Sequence, residues 1–179
     1  RSRPRWRSGS ASSRTAGACS RRRTASRKAS GASSYTGTSG AASATIEADA
    51  PADWTAFRDK IRASDAVLFV TPEYNRSMPG VLKNAIDVGS RPFGKSVYDK
   101  KPAAVVSVSP GAMSAFGANH HLRQSLVFLN MPAMQQPEVY LGGVDKLFGP
   151  DGKLANPSTK EFLGKVMQAF AVWIEKTGS

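Results

Sequence analysis

Two apolar runs, each followed by a polar loop and then a helix-patterned stretch, constrain this chain more than any other feature. The first run is Ala66-Val67-Leu68-Phe69-Val70. The loop Thr71-Pro72-Glu73-Tyr74-Asn75 follows it, and then Pro79-Gly80-Val81-Leu82-Lys83-Asn84-Ala85-Ile86-Asp87. The second run covers residues 102–108. It passes through Ser107-Val108-Ser109-Pro110-Gly111-Ala112 into a helical pattern at residues 117–129. Short continuous apolar runs bounded by turn residues read as fully buried strands. Strands alternating with helices predict an α/β protein, with a parallel sheet covered by helices on both faces. Ligands of such sheets bind in the crevice outside the carboxyl ends of the strands. Both loops fall at that edge.

The remaining pattern agrees. Residues 53–61 place Trp54, Phe57 and Ile61 on one face at spacings of three and four, which predicts an amphipathic helix. Pro79 is suited to the first turn of the next helix, where a missing N–H costs no hydrogen bond. Val81, Leu82, Ala85 and Ile86 form the inward face of that helix. Leu122, Leu126 and Leu129 do the same for residues 117–129. A short strand is expected within residues 132–141. A last helix opens on Ser158 as N-cap, with Glu161 completing a capping box and Phe162, Val166, Phe170, Val172 and Trp173 inward.

The 179 residues fit one domain able to bury a core. The formal charge of +12 invites a nucleic-acid reading. Its distribution argues otherwise. Residues 1–45 carry ten Arg or Lys and no acid, whereas residues 46–179 carry fifteen basic and thirteen acidic residues. The first segment is almost wholly Arg, Ser, Ala, Gly and Thr, without either periodicity. It reads either as a disordered basic tail or as a misframed reading of a GC-rich gene. Read from the third base of each codon, residues 34–39 are compatible with Leu-Tyr-Arg-Asp-Ile. The same offset over residues 10–16 permits Ser-Leu-x-x-Asp-Ser. The domain is expected from residue 46 onward. A single cysteine, Cys19, rules out an internal disulfide and fits a reducing, cytoplasmic setting. The Arg-rich start has no apolar h-region, so it does not read as a secretory signal. No run approaches the roughly 18 apolar residues of a membrane span.

Several motifs compete for a function. Gly89-Ser90-Arg91-Pro92-Phe93-Gly94-Lys95-Ser96 spells a phosphate loop. That mechanism needs a strand before it and a helix starting at the Lys-Ser pair. Here a helix precedes it, and only five residues separate it from Pro102, so it reads as a chance match. Asn75-Arg76-Ser77 is a glycosylation sequon without meaning in a cytoplasmic chain. His120 and His121 point about 100° apart on a helix, which is not a two-ligand metal arrangement. They read as surface or subunit-contact residues. Glu73 is a candidate acid or base and Tyr74 a candidate stacking surface. Pro72 and Pro79 stiffen the two ends of their loop, as suits a preformed site.

These residues resemble the NADPH-dependent FMN reductase family, and within it the chromate and quinone reductase branch. The resemblance is carried by Thr71-Pro72-Glu73-Tyr74-Asn75, Ser77-Met78-Pro79-Gly80 and Leu82-Lys83-Asn84-Ala85-Ile86-Asp87. His121-Leu122-Arg123-Gln124, Val127-Phe128-Leu129 and Gln136-Pro137-Glu138 extend it. It implies a flavodoxin-like, doubly wound five-stranded parallel sheet of order 2-1-3-4-5, with FMN at the switch point. Pro72, Glu73, Tyr74 and Asn75 would line the isoalloxazine, largely through backbone groups. Ser107, Ser109 and Gly111 would approach its other edge. The family's phosphate loop, a Gly-Ser-Leu-Arg-type segment followed by Ser and Asn, is missing from the chain as written. The frame-shifted Ser-Leu-x-x-Asp-Ser has its spacing. The implied chemistry is ping-pong, from NAD(P)H through FMN to a quinone, azo compound, free flavin or metal oxyanion such as chromate. The cofactor carries that chemistry, so no side chain need be catalytic. The resemblance also implies a homodimer or homotetramer, with Arg123 and Glu138 as candidate contact residues. Gly117 and His120 stand where some relatives have Arg and Tyr. The competing reading is a basic-tailed nucleic-acid-binding protein on a vestigial scaffold.

Overall fold

A computed structural model describes residues 50–178. Both readings of residues 1–45, and the boundary at residue 46, lie outside them. The elements run α1 (Ala52–Arg62), β1 (Val67–Pro72), α2 (Gly80–Gly89), β2 (Ala103–Val108), α3 (Phe116–Phe128), β3 (Val139–Leu141), a 3-10 turn (Val144–Lys146) and α4 (Pro157–Thr177).

The strands form one parallel sheet in the order β1-β2-β3. Val67 pairs with Ala103 and Pro72 with Val108, so β1 and β2 end level. Strand alternation then sorts the side chains into two layers. Phe69, Ala103 and Val105 point to α2 and α3, where they meet Ile86, Leu122, Leu126, Tyr98 and Met131. Ala104, Val106 and Val139 point the other way, onto Val166 and Phe170 of α4. The expected helices on both faces are present.

The expectation of a fully buried first strand is corrected. Leu68 is 37% and Val70 60% exposed. Both lie on the α4 side, where α4 covers β2 and β3; among the described residues nothing comparable covers β1.

Helix details also differ from the sequence reading: Val81, expected on the inward face of α2, is 83% exposed, and Phe162 of α4 is 36% exposed. Pro79 is the N-cap of α2, one position before the expected N1. The cap of α4 is Asn156, not Ser158. Its Oδ1 accepts from the Ser158 and Thr159 N–H groups at 3.0 and 3.2 Å, with Pro157 as first helical residue. Asn is as good an N-cap as Ser, and a proline after it needs no partner. Glu161 is left to pair with Lys165, one turn on. Val172 is 63% exposed, because a face through Val166, Phe170 and Trp173 leaves no room for it inward. In α1 the buried residue is Arg58, whose Nε donates to the Val88 carbonyl at 2.9 Å while its guanidinium lies over Trp54. A cation at the carbonyl end of α2 complements that helix dipole.

Tyr98 anchors the loop after α2. Its ring is buried and its hydroxyl donates to the Ala85 carbonyl at 3.2 Å. Burial first, then the nearby Asp87 charge, push its phenol up to about 12 from the ordinary 10.0. The folded state therefore holds the Tyr98 proton more tightly than the unfolded chain does. That contribution is fully present below pH 10 and is lost as pH rises through 12. Urea unfolding at intervals across this range should show it, and Tyr98→Phe should flatten the decline. An unchanged decline in Tyr98→Phe would assign the alkaline loss to other groups.

Candidate functional site

Because β1 and β2 end level, residues 73–77 and 109–114 leave the sheet from adjoining strands, which lie about 4.8 Å apart. The first loop is a tight hairpin. Tyr74 N–H donates to the Ser77 carbonyl at 2.9 Å and Ser77 N–H returns to Tyr74 at 3.0 Å. Asn75 and Arg76 between them have φ of 51° and 66°. Two successive left-handed residues inside such a bonded pair make a type I′ turn. Asn tolerates that region; Arg does so only when its surroundings hold it there.

The surroundings are the first two turns of α3. Glu73 is nearly buried, and its Oε2 accepts from the Ala118 N–H at 3.0 Å, so its carboxylate caps the positive end of that helix. Arg76 Nη1 stands 3.7 Å from Glu73 Oε1. Gly117 lies directly under the hairpin: a Cβ there would sit 2.6 Å from the Arg76 carbonyl oxygen. His121 Nδ1 lies 3.0 Å from Ser77 Oγ. Glu73, read from sequence as a candidate acid or base, thus holds a helix N-terminus. Tyr74 is 64% exposed, and the Asn75 N–H has no partner among the described residues.

The second loop is built of small residues. Ser109 Oγ accepts from the Gly111 N–H at 3.1 Å, and a Cβ at Gly111 would meet nothing closer than 3.6 Å. Its rim is low and open. Ser114 and Ala115 turn the chain through φ of 52° and 59° into α3. Ser107 is different. It is fully buried, its Oγ donates towards the Ser114 and Val139 carbonyls, and it accepts from Asn119 Nδ2 at 3.2 Å. Asn119 Oδ1 in turn accepts from Arg123 Nε at 2.9 Å, and Arg123 Nη1 reaches the Met134 carbonyl at 2.9 Å. Arg123 is thereby tied within its own chain. Glu138 is half-buried, and its N–H donates to Gln136 Oε1 at 3.4 Å.

So Pro72, Glu73, Tyr74, Asn75, Ser109 and Gly111 come together at one edge of the sheet, and Ser107 lies beneath them. Sequence reasoning missed Gly117, Ser77 and His121 as a support. A glycine at the first turn of α3 was the available signal.

Beyond this edge, Tyr140 OH lies 3.1 Å from His120 Nε2, and the Phe116 ring packs at a tilt against both rings. Burial, then the neighbouring Glu138 carboxylate, raise the Tyr140 phenol above its ordinary value, while Arg123 opposes them. No cluster among the described residues could hold a metal. The phosphate-loop match at residues 89–96 is followed by turns rather than a helix. Without a helix N-terminus it lacks the anion site of that motif.

A stiff hairpin and a small-residue loop thus stand side by side at the carboxyl edge of a parallel sheet, the edge at which open α/β sheets hold their ligands. A profile of the NADPH-dependent FMN reductase family matches residues 20–146, starting inside the Arg-rich segment. A quinone reductase of Pseudomonas putida is 65% identical over 131 residues, covering 73% of this chain and 70% of that protein. A 2-hydroxy-1,4-benzoquinone reductase of Burkholderia sp is 41% identical over 128 residues, or 72% and 70% of the two chains. Among solved structures, a flavoenzyme NAD(P)H:(acceptor) oxidoreductase of Paracoccus denitrificans superposes with a TM-score of 0.71. It has 41% identity and covers 75% of this chain and 74% of its own. The chain belongs to the NADPH-dependent FMN reductase family. It is an oxidoreductase with FMN as cofactor and NAD(P)H as co-substrate.

The described residues fit the ring half of that cofactor. The rim over Gly111 is open, the hairpin is braced from below, and Tyr74 is exposed beside them. The segment expected to supply a phosphate loop lies outside the described residues.

Proposed function

We propose that this protein is an NAD(P)H-dependent quinone reductase whose flavin ring lies between the Tyr74–Ser77 hairpin and the loop of residues 109–112. The level ends of β1 and β2, which bring those loops together, carry this reading. The quinone reductase named among its relatives supports the acceptor class. Bound FMN supplies the two-electron carriage between pyridine nucleotide and acceptor. Pro72, Glu73, Tyr74 and Asn75 present hairpin backbone and the Tyr74 ring to one side of the flavin. Ser109 and Gly111 leave room at its other edge, and Ser107 holds that loop from within the sheet. Glu73 supports the hairpin from α3 and does not transfer protons. No side chain acts as catalytic acid or base, and turnover is ping-pong.

Three finer readings go with it. The sheet has five strands in the order 2-1-3-4-5, and the uncovered Leu68 and Val70 favour further structure beside β1. That structure, with the phosphate loop, belongs to the polypeptide ahead of residue 46, which a frame-corrected reading of residues 1–45 would supply. The enzyme is a cytoplasmic homodimer or homotetramer, and among the described residues no helix is long and apolar enough to cross a membrane. Free flavin, azo compounds and chromate are further acceptors to assay.

The purified protein, reconstituted with FMN and freed of excess by gel filtration, should keep a flavin visible spectrum. It should also oxidise NAD(P)H with a benzoquinone, giving parallel double-reciprocal lines. Intact mass measured on the same sample reports the amino-terminal sequence. A colourless protein after reconstitution, with a mass equal to the written chain, would sink the flavin reading for that chain.

A further inference from the structure

We infer that His121 is a positioning residue for the flavin ring, acting through Ser77 to hold the hairpin at a fixed angle to the sheet. The inference rests on the flavin cradle proposed above and goes beyond it. Three ties join α3 to the hairpin, and each meets a different residue. Glu73 bonds the Ala118 N–H at 3.0 Å, the Arg76 carbonyl rests on Gly117, and Ser77 Oγ meets His121 Nδ1 at 3.0 Å. The three contacted positions, 117, 118 and 121, lie within the first two turns of α3.

The Ser77 tie controls the hairpin's closing end. Ser77 N–H and C=O are both used by Tyr74, so its hydroxyl alone is free to reach the helix. Without it, the closing residue of the hairpin has no side-chain anchor, and Arg76 must keep φ of 66° with its carbonyl seated on Gly117 and its exposed guanidinium 3.7 Å from Glu73. A non-glycine residue holds a left-handed conformation only where its surroundings over-determine it. His121 is suited to the task, because Nδ1 can accept from the Ser77 hydroxyl or donate to it according to the tautomer. Ser77 and His121 also line a groove of about 400 Å³ between the start of α2 and α3, together with Met78, Lys83 and Gln124.

The test uses His121→Leu, Ser77→Ala, their double variant and His121→Asn in the full chain. Asn can place an amide nitrogen or oxygen where Nδ1 stands. Two readouts are taken: hydrogen exchange of the Tyr74 amide without flavin, and FMN affinity by quenching of flavin fluorescence. His121→Leu and Ser77→Ala should each speed Tyr74 exchange and weaken FMN binding about tenfold, the scale of one lost hydrogen bond. The double variant should add nothing further, and His121→Asn should restore most of both. Unchanged exchange and affinity in the two single variants, or additive losses in the double, would overturn the inference. So would equal losses in His121→Asn and His121→Leu. If the parent protein binds no FMN, the flavin reading falls, and faster Tyr74 exchange then leaves His121 a structural tie only.

Discussion

Gly117→Ala should detach the hairpin from α3 and lower both stability and FMN affinity. The added methyl would stand 2.6 Å from the Arg76 carbonyl oxygen, 3.3 Å from its carbon and 3.0 Å from Glu73 Oε2. Two of these atoms are backbone of a bonded turn, so no rotamer change relieves the contact. Either the hairpin lifts or the first turn of α3 unwinds, and both break the Glu73 bond to the Ala118 N–H. Overpacking of this kind costs about 2–3 kcal/mol. The lost helix cap is part of that figure. Chemical denaturation should read the stability loss and fluorescence titration an FMN affinity weaker by more than tenfold, since the hairpin proposed to face the flavin ring moves. Gly117→Ala with parental affinity would show that the hairpin does not need its seat on α3. Alanine is otherwise the better helix residue, so an exposed-helix view predicts the opposite sign, about 1 kcal/mol of stabilisation.

Gly89→Ala should destabilise the protein by about 3 kcal/mol without touching the site. Gly89 is the last residue of α2, and a Cβ there would come within 2.5–2.6 Å of the ring and hydroxyl of Tyr98. Tyr98 is only 2% exposed, so its ring has nowhere to retreat, and displacing it also breaks its bond to the Ala85 carbonyl. The loop it anchors leads directly into β2. Denaturant midpoints should fall strongly while FMN affinity in the folded protein stays at its parental value. A parental midpoint would refute the close packing. This glycine opens the phosphate-loop match, and its structural reason is an aromatic ring rather than a phosphate.

The sequence carried the layers well because both periodicities were strong and local. Ala103 to Val106 alternate between two buried faces, so the run is apolar throughout and reads as an interior strand. Val67 to Val70 show the same run with one face exposed, and composition alone does not separate these cases. Caps were less legible. Asn156, Ser158 and Thr159 are all capping types, and only the backbone turn at Asn156 selects among them. The loop after β1 was legible as a polar insertion between strand and helix. Its support was not: Glu73 and Ala118 are 45 residues apart, and nothing local announces that a carboxylate beside a strand end will cap a helix beyond the next strand. Ser107 was misleading in another way. A serine near a strand end looks available, yet strand parity turns its hydroxyl inward to Asn119.

The uncovered side of β1 has a practical consequence for anyone trimming the chain. A fragment confined to residues 50–178 would carry a well-covered β2 and β3 beside a strand whose Leu68 and Val70 stand in water. An exposed apolar patch on a sheet face is a surface for association with another molecule. Shortening the protein to those residues would therefore give a surface prone to self-association and precipitation.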